Sequence, residues 1–135
     1  MVSGSALDDA WTKQLPKGRM CIVVVEGVFQ YFTKGETAQC LCMLCDSFDH
    51  GFLLAEMNSP KLAKYTDHHD TVKNTNAKFK WGTDSGQAFV ALEPRLHLES
   101  ETSFNAEMSK YTLRGKLFAA TVGKNLNNRL AVFSW

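Results

Sequence analysis

Met20-Cys-Ile-Val-Val-Val-Glu-Gly-Val-Phe-Gln-Tyr-Phe-Thr33 is the stretch on which the fold turns. β-Branched and aromatic residues dominate it, and these fit a pleated, partly buried surface. Along an extended chain alternate side chains share a face. Cys21, Val23 and Val25 then line one side, and Met20, Ile22 and Val24 the other. A run that is apolar on both sides predicts a central strand covered on both faces. Gly27, in mid-run, reads as a bulge or tight bend.

Working outward, Lys34-Gly35-Glu36 reads as a turn into a second strand, Thr37 to Asp46, and Phe52 to Met57 as a third. Asn58-Ser59-Pro60 is a helix-entry signal, with Pro60 at the first helical position and a short helix over Lys61 to Tyr65. The polar stretch Thr66 to Asn76 reads as a loop. Ala77 to Trp81 and Gln87 to Leu92 flank Thr83-Asp84-Ser85-Gly86 in the manner of a hairpin. Arg95 to Leu98 resumes the alternation after Pro94, and Glu99 to Ser109 is open between loop and short helix. Tyr111 to Val122 and Arg129 to Trp135 read as a last pair of strands around Lys124 to Asn128. Before all of these, Ser5 to Leu15 carries an apolar stripe at helical spacing and stops at Pro16 and Gly18.

The expected fold class is therefore mainly β, with α+β allowed. It is a small barrel or sandwich of about seven antiparallel strands, with a short N-terminal helix and one short internal helix. The order of elements over residues 20–98 matches an OB-like barrel. The 135 residues fit one domain: 1–18 a helix and linker, 19–135 the barrel or sandwich body. With 44% hydrophobic and 21% charged residues the composition is that of a globular protein, which excludes disordered and fibrous classes. No signal peptide, spanning segment or lipidation box is legible, so a cytoplasmic or nuclear protein without membrane contact is expected.

Cys40-x-Cys42-x-x-Cys45, with His50 as a fourth donor, is the one metal-like spacing. On a strand Cys40 and Cys42 share a face and Cys45 points away. The intervening Leu41, Met43 and Leu44 lack the turn chemistry of a zinc knuckle, so the cysteines read as reduced core residues and no metal is assigned. Asp67-His68-His69-Asp70 holds metal-competent and acid–base side chains, but adjacent histidines diverge, and a polar loop accounts for them. Gly82-Thr83-Asp84-Ser85-Gly86 is not a nucleophile elbow, because its serine is displaced by one position. No phosphate-cradling glycine loop is present. Neither a catalytic residue nor a cofactor is assigned.

Charge is the strongest functional signal. After Glu107 come Lys110, Arg114, Lys116, Lys124 and Arg129 with no acidic residue, whereas the first 107 residues hold ten basic against fourteen acidic ones. Such asymmetry attracts a polyanion or an acidic surface. Lys78 and Lys80 alternate with Phe79 and Trp81, and cations interleaved with rings suit single-stranded nucleic acid. The expected function is a non-enzymatic binding subunit that contacts single-stranded nucleic acid or an acidic partner. Its site comprises Lys110, Arg114, Lys116, Phe118, Lys124, Arg129, Lys78, Lys80 and Trp81. The alternative is a protein–protein assembly module without nucleic-acid contact, in which the first strand and Leu130 to Trp135 pack against another chain and an oligomer is allowed. A small metal-binding protein or enzyme is the third reading.

Overall fold

The apolar run does not make one long strand. In the computed structural model, which describes residues 2–64, 77–111, 113, 116–117, 121 and 128–135, it splits after five residues into a strand, a glycine turn and a 3₁₀ turn. Strand β1 is Cys21–Val25, and Phe29–Tyr31 forms the 3₁₀ turn. Gly27 between them has φ +66°, a left-handed conformation that a side chain resists.

The predicted second strand is a helix. α1 spans Lys34–Ser47 and begins with a capping box: Thr33 Oγ1 accepts from Glu36 N–H at 3.2 Å, and Glu36 Oε2 accepts from Thr33 N–H at 2.7 Å. Thr37, Cys40, Leu41 and Leu44 are buried at three- and four-residue spacing, the helical period. β2 follows at Gly51–Met57 and runs parallel to β1, in register from Cys21 opposite Gly51 to Val25 opposite Ala55. β1, α1 and β2 are thus a β-α-β unit, the connection that parallel strands require.

α2, Pro60–Lys64, forms at the predicted helix entry. The expected hairpin around Gly86 is absent: residues 77–83 are irregular, and α3 occupies Gln87–Leu92. β3, His97–Ser103, leads directly into α4, Phe104–Tyr111, and the described residues 113 and 116–117 beyond it are helical, not a strand. At the N-terminal end the expected helix is a 3₁₀ turn, Asp9–Gln14, capped by Asp8. β4, Arg129–Ser134, returns between β2 and β3 and is antiparallel to both.

Among the described residues the architecture is one open, mixed, four-stranded sheet of order β1-β2-β4-β3, with helices. It is not a closed barrel, an OB-like barrel or a sandwich of seven antiparallel strands. The correction has a single cause: alternation over short apolar runs cannot separate a strand from a buried helix. One face of the sheet, carrying Leu53, Ala55, Ala131 and Phe133, packs on Leu41 and Leu44 of α1 and Phe89 of α3. The opposite face presents Ile22, Val24, Phe52, Leu54 and Leu130, all exposed. Among the described residues no helix is long and apolar enough to cross a membrane.

Candidate functional site

In an open sheet with parallel strands, a crevice forms beyond the carboxyl ends of the strands, where the chain turns away in different directions. Here Glu26, Gly27, Gln30 and Tyr31 follow β1, Glu56 and Asn58 close β2, and Asn128 enters β4. With Phe79 they line a crevice of about 420 Å³. The Tyr31 and Phe79 rings meet edge to face at 5.4 Å and form its aromatic wall.

Glu56 ties the strand ends together. Its Oε2 accepts from Gly27 N–H at 3.1 Å, and its Oε1 accepts from Asn128 Nδ2 at 2.9 Å. Main-chain bonds fix the remaining walls, Lys80 N–H donating to Gln30 O at 2.7 Å and Thr83 N–H to Asn58 O at 2.8 Å. Gly82 sits so near this junction that a Cβ there would lie 2.6 Å from Asn58 O and 2.8 Å from Ser59 O.

Within this frame three side-chain oxygens are buried without a hydrogen-bond partner among the described residues: Gln30 Oε1, Asn58 Oδ1 and Asn128 Oδ1. Gln30 and Asn58 are only 8% and 4% exposed. A buried polar atom left unpaired costs about 1–3 kcal/mol, and all three belong to residues of the crevice wall. All three are acceptors, and Glu26 and Glu56 add carboxylates at the same lining. An acidic, acceptor-rich lining of this kind favours donors and cations over anions.

The structure places the described residues of the expected polyanion site on different elements. Lys110 lies on α4 and pairs with Glu107 at 2.7 Å, and Arg129, on β4, pairs with Glu101 at 2.6 Å. Lys80 is 3.5 Å from Glu36, while Lys78 and Lys116 are exposed in separate segments. Trp81 is half-buried against Phe89, with ring centroids 5.5 Å apart, so it serves the core. Arg114, Phe118 and Lys124 lie outside the described residues, as do Asp67, His68, His69 and Asp70.

Cys40, Cys42 and Cys45 sit on α1 and not on a strand, and His50 is exposed in the turn before β2. Among the described residues no group of three or more His, Cys, Asp or Glu is placed to hold a metal. Burial pushes the Cys40 and Cys45 thiols up to about 11, which keeps them protonated and weakly reactive at neutral pH. Near Cys42, Arg95 bonds Glu93 at 2.8 Å and Asp46 at 2.7 Å. Its guanidinium holds both carboxyls below their usual range. This group ties α1 to the end of α3.

The crevice residues escaped the sequence reading because Gln30, Asn58 and Asn128 are neutral amides with no motif. Their one signal was position, each standing where an apolar strand meets a turn.

No family model and no solved structure matches the chain. By sequence it is similar to the tetracenomycin polyketide synthesis O-methyltransferase TcmP of Streptomyces glaucescens, 20% identical over 103 residues. Those residues are 76% of this chain but only 38% of that enzyme, so the chain spans well under half its length.

Proposed function

We propose that the chain contributes a ligand-binding crevice to an α/β enzyme of the O-methyltransferase type, acting as a binding unit and not as a complete catalyst. The observation that carries this reading is the set of buried, unpartnered oxygens of Gln30, Asn58 and Asn128 at the carboxyl ends of β1 and β2. The similarity to an O-methyltransferase supports the chemistry, and the β-α-β unit supports the placement.

Methyl transfer to oxygen needs an electrophilic methyl group, which a sulfonium donor such as S-adenosylmethionine supplies. The residues present suit such a ligand. The Glu26 and Glu56 carboxylates favour its positive charges, and the amide oxygens of Gln30, Asn58 and Asn128 accept from ammonium or hydroxyl groups. Tyr31 and Phe79 offer an aromatic wall for its apolar part.

Saturation-transfer NMR with S-adenosylmethionine tests the reading at millimolar ligand. Transfer to the ligand is expected, and Asn58→Leu is expected to weaken binding about tenfold, since a hydrogen bond to a charged group contributes about 1.5–3 kcal/mol. No transfer at all, or unchanged affinity in Asn58→Leu, overturns it.

A second reading, contact with single-stranded nucleic acid or an acidic partner, is favoured by the exposure of Lys78, Lys110 and Lys116. Under it, labelled single-stranded DNA or RNA binds at low salt and is released steeply as salt rises. Absence of binding at low salt removes it.

A further inference from the structure

Arg95 also reaches a sulfur. Its Nη2 donates to Glu93 Oε2 at 2.8 Å and lies 3.5 Å from both the carbonyl oxygen and the Sγ of Cys42. The Cys42 thiol in turn donates to Asp46 Oδ2 at 3.5 Å. Cys42 is an exposed free thiol. With Asp8, Asp9, Gln39, Met43 and Asp46 it lines a hollow between α1 and the N-terminal 3₁₀ turn. A small reagent from solvent can reach this sulfur, and the guanidinium beside it favours the thiolate.

Cys45, half-buried and also a free thiol, stands one helical turn further on. Residues three apart on a helix are neighbours, with Cβ atoms about 5–6 Å apart. A disulfide needs about 3.5–4.5 Å. The pair lies in the last two turns of α1, which ends at Ser47. A terminal turn tightens readily into a 3₁₀ turn, in which side chains three apart eclipse, so a small local change closes the gap. The other two thiols are placed differently. Cys40 is only 6% exposed and packs with Leu41 and Leu44 in the core, and Cys21 belongs to β1.

We propose that Cys42 and Cys45 form a redox-reactive dithiol at the junction of α1 and α3, which reacts with small disulfides and closes into an intrahelical Cys42–Cys45 bridge. The Cys42 thiolate attacks one sulfur of a disulfide RSSR. Cys42–S–S–R forms, and RS⁻ leaves and takes up the proton that Cys42 gave to water. The Cys45 sulfur, losing its proton likewise, attacks the Cys42 sulfur, forms the bridge and expels the second RS⁻. Two protein thiols are oxidised and one disulfide is reduced to two RSH, so no further reactant is needed. Burial, then the Asp46 and Glu93 carboxylates, hold the Cys42 thiol above its ordinary value against the pull of Arg95. The first step is therefore slow at neutral pH and quickens toward alkaline pH. The second step is intramolecular, and proximity offsets the poor reactivity of a protonated Cys45. Bridging removes the S–H donor from Asp46 and draws Sγ from Arg95, so the oxidised form holds α1 to α3 less firmly.

The carboxylates of Asp8, Asp9 and Asp46 at the hollow suit a cationic disulfide, so cystamine is the probe. The whole chain is incubated with it at mildly alkaline pH and analysed by mass spectrometry. The product is expected to be lighter by two hydrogens, to retain no cysteamine, and to place the bridge between Cys42 and Cys45 on fragmentation. Cys45→Ser, with Cys45→Ala as its replacement if the serine unfolds the chain, is expected to stop at the mixed disulfide on Cys42, one cysteamine heavier. Cys42→Ser is expected to react about tenfold more slowly, because exchange follows the accessible thiol. Amide exchange over Gln87–Leu92 is expected to quicken about threefold in the bridged form and to recover with a reducing thiol. A wild-type chain that stays unmodified, keeps cysteamine on Cys42, or bridges through Cys21 or Cys40 overturns the dithiol. Unchanged exchange over α3 after bridging overturns its coupling to the junction.

Discussion

Phe89→Ala is expected to destabilise the protein by about 3–5 kcal/mol, the range for truncating a large aromatic in a core. Phe89 is wholly buried and lies at the meeting point of every covered layer. Its ring is 5.1 Å from Phe29, 5.5 Å from Trp81 and 5.4 Å from Phe133. The first comes from the turn after β1, the second from the irregular segment before α3, and the third from β4. Removing the ring leaves a cavity that three separate elements cannot fill together. Urea unfolding measures the effect: the midpoint is expected to fall with little change in slope, and a loss below about 1 kcal/mol would place the core elsewhere.

Gly82→Ala is expected to cost about 1–3 kcal/mol, as overpacking does where neighbours cannot yield. The added methyl meets Asn58 O at 2.6 Å, Ser59 O at 2.8 Å and Ser59 C at 2.9 Å, and all three are backbone atoms. Relief requires the segment around Thr83 to move away from β2, which strains the bond from Thr83 N–H to Asn58 O. Because Asn58 lines the crevice, weaker S-adenosylmethionine binding is expected to accompany the loss of stability. Gly35→Ala, which points into open space on α1, is the control, and neither property is expected to fall. Thermal unfolding and the NMR titration read both effects in the same samples; undiminished stability in Gly82→Ala would show that the junction is looser than its distances imply.

How far the chain could be read from its residues depended on local chemistry. β2 and β4 were legible because alternation, length and bounding turns agreed at Phe52 to Met57 and Arg129 to Trp135. α2 was legible from Pro60. α1 was misread, although its start was written plainly: Thr33 and Glu36 have the spacing of a capping box, and Thr37, Cys40, Leu41 and Leu44 follow the helical period. Lys34-Gly35-Glu36 looks like a turn in sequence, and a turn there makes Thr37 to Asp46 look like a strand. Once α1 became a helix, β1 and β2 could run parallel, and the antiparallel barrel lost its premise. The site was harder to find. A charge excess after Glu107 is visible in one dimension, whereas the crevice exists only when Gln30, Asn58 and Asn128 are brought together from three strand ends. The basic residues that were visible are spent in part on neighbours, Lys110 on Glu107 and Arg129 on Glu101.

The placement of β4 bears on how the molecule is made. Among the described strands it comes last, yet it lies between β2 and β3, which share no hydrogen-bonded edge without it. During synthesis the ribosome releases β1, α1 and β2 first, and they can pair at once. β3 must wait, some thirty residues, for its neighbour to emerge. Until Arg129–Ser134 arrives, both edges of the β1–β2 pair stand open, and the nascent chain is at its most adhesive. Closure is then a late event that stitches β3 to the rest, a non-local pairing of the kind that slows folding.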